Sequence, residues 1–160
     1  MTITEALEQI GSAQSVAKRA ISAPEALNEA PQYGSAFSRG LRIDLNGLAI
    51  LLISGTASID DMGRTVHPGD LRAQCRRTYR NISDLLAAEG ASWKDVVRTS
   101  CYLRDIERDY AAFNEERTAF FLQEGLDPLP ASTGIQAILC RPDLLVEIEA
   151  IAMFIPVKEK

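Results

Sequence analysis

The sequence has few of the residue types that bind metals or cross-link chains. Among its 160 residues there are one histidine, His67, and three widely spaced cysteines, Cys75, Cys101 and Cys140. Structural zinc sites use closely spaced Cys and His ligands, so this scarcity argues against a dedicated metal site. An odd cysteine count without a secretory signal favours free thiols in a reducing compartment. We therefore expect three buried, unpaired cysteines and a cytoplasmic location.

Long apolar runs and an excess of positive charge are also missing. The longest apolar run, Gly47–Ile53, has the length of a strand and falls short of the ~18 residues that span a bilayer. Lys and Arg number 17 against 22 Asp and Glu, which gives a formal net charge of -5. This balance, without a basic stripe interleaved with aromatic residues, argues against nucleic-acid or membrane partners.

What remains is the composition of one globular domain. The hydrophobic fraction is 46% and the charged fraction 24%, and the length suits a single core. Residues 1–32 are rich in Ala, Ser and Glu, with Ile3, Leu7 and Ile10 at helical spacing. They predict a partly helical N-terminal extension before a domain over 33–160. Whether the extension packs on the domain or forms a loosely ordered tail stays open.

Hydrophobic periodicity predicts five strands and two helices. An Asn46-Gly47 hairpin turn separates an alternating strand from a fully apolar one, which indicates a central position in a sheet. Asp70 is a predicted helix cap, and Gly90 a predicted helix stop. The helix between them is predicted to carry one apolar stripe, made of Cys75, Tyr79, Ile82, Leu85 and Leu86. The predicted strands cover residues 41–45, 48–54, 96–103, 132–139 and 144–154, and the predicted helices cover residues 70–89 and 107–123.

This order, β-β-α-β-α-β-β, predicts a two-layer α+β fold with both helices on one face of a mixed sheet. The opposite face of such a sheet would be an exposed apolar patch unless something covers it. The sequence offers no second helical layer, so identical copies are the simplest cover. We therefore expect a homo-oligomer.

Acidic residues interrupt the last predicted strand. Glu147 and Glu149 lie two residues apart, so on a strand both side chains share one face. A partly desolvated Glu147 would have a raised pKa and would donate a proton near neutral pH. Glu147 is therefore our candidate catalytic residue, with a structural acid bonded to a neighbouring subunit as the alternative. Glu149 is predicted to be structural.

Small polar residues in two other segments are candidates for substrate binding. Ser132 and Thr133 carry hydroxyls that suit a substrate carbonyl or carboxylate, although they also suit a plain strand. Gly134 allows backbone N–H groups to approach an anion. The opposite wall of the site is predicted from the three residues that leave the central apolar strand: Ser54, Gly55 and Thr56.

Several short segments, in a fixed order, carry a resemblance to a known family. They are Ile53-Ser54-Gly55, Gly90-Ala91-Ser92, Asp95-Val96-Val97, Phe113-Asn114, Pro130-Ala131 and Val146–Ala152. From about Tyr33 to Phe154 the chain resembles the Rid (YjgF/YER057c/UK114) family. The resemblance implies a chorismate-mutase-like fold and a homotrimer whose sheets form a central barrel with clefts between subunits. It also implies hydrolysis of reactive enamines and imines without a cofactor.

The resemblance breaks at the residue that grips the substrate. Active family members hold a substrate carboxylate with an arginine in a Pro-Ala-Arg-Ser type loop, and the matching position here is Ser132. Phe37 stands where a tyrosine is common, and Glu147 is kept. Arg117 or Arg141 are alternative carboxylate clamps. Asn114 is a candidate to orient a water, or else a structural amide.

These departures leave several functions open. The first is an enzyme for acid-assisted hydrolysis, elimination or tautomerisation of a small carboxylated or imine-type metabolite. The second is a non-catalytic metabolite-binding protein. A looser resemblance of Phe113–Phe121 and Pro130–Ile135 to the C-terminal half of chorismatases implies hydrolysis of a chorismate-type substrate. The endoribonuclease activity of some relatives is disfavoured by the net charge of -5.

Overall fold

A computed structural model describes residues 16–29 and 34–157, and it places two helices on one face of a six-stranded mixed sheet. This arrangement confirms the predicted two-layer α+β fold. The strands are β1 (Ala17–Ala20), β2 (Gly40–Leu45), β3 (Leu48–Ala57), β4 (Val96–Leu103), β5 (Ala131–Gln136) and β6 (Val146–Phe154). The helices are α1 (Leu71–Ala87) and α2 (Ile106–Gln123), and a short 3₁₀ helix (Trp93–Asp95) leads into β4.

The sheet order is β1-β2-β3-β6-β4-β5, and β4–β5 is its one parallel pair among the described strands. The parallel pair is possible because α2 carries the chain across the sheet between β4 and β5. Asn46 and Gly47 adopt φ values of 52° and 84°, which confirms the predicted turn between β2 and β3. The Asp70 side chain accepts a hydrogen bond from the Ala73 N–H and so caps α1 as predicted.

Strand β1 is an element that the sequence did not predict. It lies within the proposed extension and pairs antiparallel with β2 at the edge of the sheet. All four of its residues are exposed, so the segment has no alternation of polar and apolar side chains to reveal a strand. The helical spacing of Ile3, Leu7 and Ile10 lies outside the described residues.

The core fills the layer between the helices and the sheet. The predicted apolar stripe of α1 is buried, and Tyr79 at its centre is 1% exposed. The Tyr79 ring stacks on Phe120 of α2 with centroids 4.5 Å apart, and Trp93 meets Phe120 edge-on at 5.1 Å. Aromatic contacts of this kind add to the burial energy and fix how α1 and α2 pack on the sheet.

The sheet face turned away from the helices, here called the outer face, is apolar. Leu41, Ile50, Leu52, Ile151 and Met153 lie on it, and register pairs Leu52 with both Leu41 and Ile151. Leu52 and Met153 are 38% and 40% exposed, so no described segment covers this face. Because β6 alternates, Glu147 and Glu149 share one face, as predicted, and the structure shows that it is the outer face, while residues 146 and 148 are buried.

The cysteines differ from one another in exposure. Cys75 and Cys101 are free and buried, as expected, whereas Cys140 is exposed. The expectation of burial was wrong for Cys140 because β5 ends at Gln136, so the cysteine lies in the loop before β6. Burial raises the pKa of the Cys75 thiol to about 12 and also raises that of Cys101.

Candidate active site

A cavity of about 570 Å³ lies where β3 and β6 meet the loops that precede β2 and β6. The structure brings five residues that the sequence analysis named for the site to this cavity: Phe37, Ser54, Gly55, Glu147 and the alternative clamp Arg141. Other residues on its wall are Ser35, Arg39, Ala57, Ile59, Cys140, Leu144 and Glu149. The cavity therefore combines carboxyl, guanidinium, thiol and hydroxyl groups, which come from four separate segments of the chain.

Glu147 is the unpartnered acid of this cavity. Its carboxylate makes no hydrogen bond or ion pair with any residue that the structure describes, whereas Glu149 accepts a 3.0 Å hydrogen bond from the Tyr102 hydroxyl. Burial and the nearby charge of Glu149 raise the pKa of Glu147. An acid with a raised pKa and no internal partner is suited to exchange a proton with a bound molecule.

Gly55 makes room for the Glu147 carboxylate. The pairing of β3 with β6 is irregular between Ile53 and Thr56, which indicates a β-bulge. A Cβ atom on Gly55 would lie 2.1 Å from Glu147 Oε1, closer than real Cβ contacts ever come. The bulge and the missing side chain together let the carboxylate lie against the backbone of β3.

The neighbours of Gly55 anchor the cavity wall. The Ser54 hydroxyl donates a 2.7 Å hydrogen bond to the Ser38 carbonyl and so ties the loop that carries Phe37 to β3. Thr56 was predicted for the same wall, but it is buried and its hydroxyl donates to the Ser54 carbonyl at 2.8 Å. In the single chain Thr56 therefore supports the bulge from the interior side and does not line the cavity.

Two arginines add positive charge to the cavity wall. Arg39, which the sequence analysis missed, is 5% exposed and donates from Nε to the Asn28 carbonyl at 2.8 Å. Its guanidinium lies 5.4 Å from the centre of the Phe37 ring. Arg141 donates from Nη1 to the Gly63 carbonyl at 2.6 Å. The position of Arg39, two residues after the predicted site residue Phe37, is the signal in the sequence that could have identified it.

Three further predicted binding residues, Ser132, Thr133 and Gly134, lie on β5, away from Glu147. Ser132 pairs with Thr99 and Gly134 pairs with Cys101 in the parallel β4–β5 ladder. The Ser132 hydroxyl accepts a 3.0 Å hydrogen bond from the Thr99 hydroxyl on the helix side of the sheet. Successive strand residues point to opposite faces, so Thr133 projects the other way, where it accepts from Arg98 at 3.1 Å.

Strand β4 separates β5 from β6, so one chain does not unite the two halves of the predicted site. Asn114 and Arg117 lie with the β5 half. Arg117 donates from Nη1 to the Ser132 hydroxyl at 3.1 Å and from Nη2 to Asn114 Oδ1 at 2.5 Å. The single chain therefore presents two distinct polar sites, one around Glu147 and one around Ser132.

The described residues contain no group of three or more His, Cys, Asp or Glu side chains that could hold a metal ion. None of the helices in the described part of the chain has both the length and the apolar character needed to cross a membrane.

The chain is similar to known proteins both in sequence and in structure. The chain is 36% identical over 103 residues to the 3-aminoacrylate deaminase RutC of Acinetobacter baylyi, covering 64% of this chain and 78% of the relative. The crystal structure of the YjgF gene product of E. coli matches with a TM-score of 0.69 at 26% identity, over 84% of this chain and 97% of that one.

A second crystal structure, YyfA of the Rid protein family from Yersinia pestis, matches with a TM-score of 0.71 at 27% identity, over 85% of this chain and 98% of that one. The family model described as endoribonuclease L-PSP matches residues 27–154. Since this match spans well over half of the 160 residues, the chain belongs to the endoribonuclease L-PSP family, also known as the YjgF or Rid family.

Proposed function

We propose that this protein is a small-molecule enzyme in which Glu147 exchanges a proton with an imine, an enamine or a small carboxylated metabolite. The proposed reaction is acid-assisted hydrolysis, elimination or tautomerisation, without a cofactor. The observation that carries the proposal is the Glu147 carboxylate, which is half-buried and has no hydrogen-bond partner among the described residues. The RutC relative is a 3-aminoacrylate deaminase, and deamination of an aminoacrylate belongs to the same chemical class.

For an imine the proposed steps balance without a further reagent. Protonated Glu147 donates its proton to the imine nitrogen, and a water molecule adds to the electrophilic carbon. The resulting carbinolamine loses ammonia and leaves a carbonyl compound, while the proton released by the water returns to the carboxylate. The raised pKa of Glu147 supports this role because it increases the protonated fraction near neutral pH.

The arginines of the cavity bear on the substrate class. Arg39 and Arg141 both line the cavity that holds Glu147. Guanidinium groups bind carboxylates well because their N–H donors match the two carboxylate oxygens. We therefore propose that the substrate carries a carboxylate, and that it lies with this group toward the arginines and its reacting centre toward Glu147.

Substitution of Glu147 by Gln tests the proposal. Ammonia release from 3-aminoacrylate and related small enamines is measured with the purified native protein and with Glu147→Gln. We expect turnover to fall by roughly 10²-fold or more, the usual contribution of a general acid or base. Glu107→Gln serves as the control, because it removes the same negative charge from an exposed position on α2. Equal turnover by Glu147→Gln and the native protein would overturn the proposal.

A non-catalytic binding protein is the second candidate. It is favoured by Ser132, since the loop lacks the arginine that the family resemblance leads one to expect there. A thermal-shift screen of small carboxylated metabolites separates the two candidates. A compound that raises the unfolding temperature but is never converted supports binding alone, because selective binding to the native state stabilises it.

Assembly and location are part of the same proposal. We propose a cytoplasmic homotrimer, in which the outer faces of the sheets pack together and clefts form between subunits. The apolar outer face supports assembly, because an uncovered patch of this kind is typical of an interface. Assembly would also offer a way for the β5 residues of one copy to approach Glu147 of another.

A further inference from the structure

Tyr102 on β4 lies beside both acids of β6. The antiparallel register of the two strands pairs Tyr102 with Glu147 and Ser100 with Glu149. Residues directly opposite each other in such a pair share one face, and a long side chain also reaches the diagonal neighbour. The Tyr102 hydroxyl uses this reach and donates a 3.0 Å hydrogen bond to Glu149 Oε2.

The Tyr102 side chain is held in place at both ends. Its ring packs, partly buried, against a small apolar cluster of Ala57, Leu139 and Leu144. The hydrogen bond to Glu149 raises the pKa of the Tyr102 hydroxyl, so this group remains a donor throughout the physiological pH range. Tyr102 therefore presents a fixed donor to one of the two carboxylates of β6.

The two acids differ in environment although they lie two residues apart. Glu149 accepts the Tyr102 bond, whereas Glu147 accepts no hydrogen bond from any described residue. A hydrogen bond donated to a carboxylate favours its charged form, and a like charge nearby favours the neutral form of the second acid. Two acids that interact in this way titrate as a pair, and their environments decide which of them keeps the proton.

The other charged or titratable neighbours of this pair carry no carboxyl group. Arg98 of β4 lies with Glu149 in a cavity of about 280 Å³ that adjoins the Glu147 cavity. The β3 residues that line the Glu147 cavity are uncharged, and the loops before β2 and β6 bring to it Arg39, Cys140 and Arg141. Among the described residues on the wall, Glu149 therefore supplies the negative charge that acts on Glu147.

We propose that Tyr102 and Glu149 are positioning residues that assign the proton shared by the two acids to Glu147. The Tyr102 bond keeps negative charge at Glu149, and this charge, together with burial, keeps the proton at Glu147. Tyr102 thus acts through Glu149, and Glu149 acts through Glu147. The inference rests on the proposed function, since it explains how Glu147 stays a proton donor near neutral pH.

Carboxyl titration by NMR tests the assignment without any turnover. The full-length protein is labelled with ¹³C at the glutamate side-chain carboxyl carbon, and the Glu147 signal is identified by its loss in Glu147→Gln. We expect Glu149→Gln to lower the pH at which Glu147 loses its proton by about one unit, because a like charge is removed. Tyr102→Phe should move the Glu147 titration in the same direction, because the two acids then share the proton.

The pH dependence of turnover gives a second readout. In the proposed reaction, loss of the Glu147 proton sets the alkaline limb of the profile. Both variants should therefore move this limb to lower pH and keep turnover close to native on the acidic side. A merely structural defect would instead lower turnover at every pH. Tyr110→Phe and Glu107→Gln are the controls, since they make the same changes at exposed positions on α2.

The inference and the proposed function fail in different ways. Native turnover by Glu147→Gln would refute the proposed reaction, whatever the NMR titration shows. If Glu147→Gln loses turnover but Glu147 titrates at the native pH in both folded variants, the proton assignment alone is refuted. A shift in Glu149→Gln without one in Tyr102→Phe would refute the role of Tyr102. Circular dichroism establishes that the variants are folded.

Discussion

Glu147, the proposed proton donor, shows at the scale of one residue how burying an acid costs stability. Its pKa lies above the ordinary glutamate value, chiefly because burial disfavours the charged form and secondly because Glu149 repels it. The native state therefore keeps a proton that the unfolded chain has already lost as the pH rises. Stability falls with pH through the interval between the unfolded and the native pKa, which is the reverse of a salt-bridged acid.

Replacing this acid with its neutral isostere should therefore stabilise the fold in a pH-dependent way. We expect Glu147→Gln to unfold at the same urea concentration as the native protein at about pH 3, where the carboxyl is protonated in both states. At about pH 7.5 the variant should require more urea. Asp61→Asn, an exposed site, is the control for loss of one negative charge. Native protein more stable than the variant at the higher pH would contradict the argument.

The three thiols should differ in reactivity for the same reason. Burial keeps Cys75 and Cys101 protonated and out of reach of solvent, whereas Cys140 is exposed and lines the Glu147 cavity. We expect iodoacetamide to add one label to the native chain, at Cys140, and three labels after unfolding in urea. Peptide mass spectrometry measures the sites, and early labelling of Cys75 would contradict the burial described here.

At the scale of one element, β3 positions the candidate site through its bulge and its one glycine, Gly55. An Ala side chain at Gly55 would collide with the tip of the flexible Glu147 side chain. We expect Gly55→Ala to displace this carboxylate and to lower turnover by roughly 10²-fold, the size of a lost general acid. The cost in stability should stay below about 1 kcal/mol, because the tip can move aside.

Gly40 on β2 provides the matched contrast. There an added Cβ atom would lie 2.8 Å from the Leu52 carbonyl oxygen and 2.9 Å from Ile21 Cδ1. Because backbone cannot move aside, we expect Gly40→Ala to destabilise the fold by about 1–3 kcal/mol in urea unfolding. Full turnover by Gly55→Ala, or a larger loss of stability there than at Gly40, would contradict this assignment of roles.

At the scale of the whole molecule, the proposed assembly depends on the apolar outer face of the sheet. Leu52 lies at its centre, between Leu41 of β2 and Ile151 of β6. If the proposed trimer forms through this face, Leu52→Glu should convert it into a monomer, measured as mass by light scattering, because a carboxylate is costly to bury without a partner. Met62→Glu, in an exposed loop, is the control. A native protein that is already monomeric would refute the assembly.

Local patterns were sufficient to predict most elements. The stripe on α1, the Asp70 cap and the Asn46-Gly47 turn each depend on residues close together in the chain, and each was found as predicted. Buried polar residues were harder to foresee. Asn81 is fully buried on α1, where its Nδ2 donates to the Ala57 and Ile59 carbonyls, but nothing in the sequence distinguishes it from a solvated helical residue.

The sequence by itself determined the element types, the shared face of Glu147 and Glu149, and the family resemblance, because periodicity and turn chemistry act over a few residues. The tertiary structure decided which polar groups meet. It placed Arg39 and Arg141 beside Glu147, and it placed Arg117 beside Ser132 on the other side of β4. Such contacts between side chains depend on strand order and register, which arise from pairing between residues far apart in the chain.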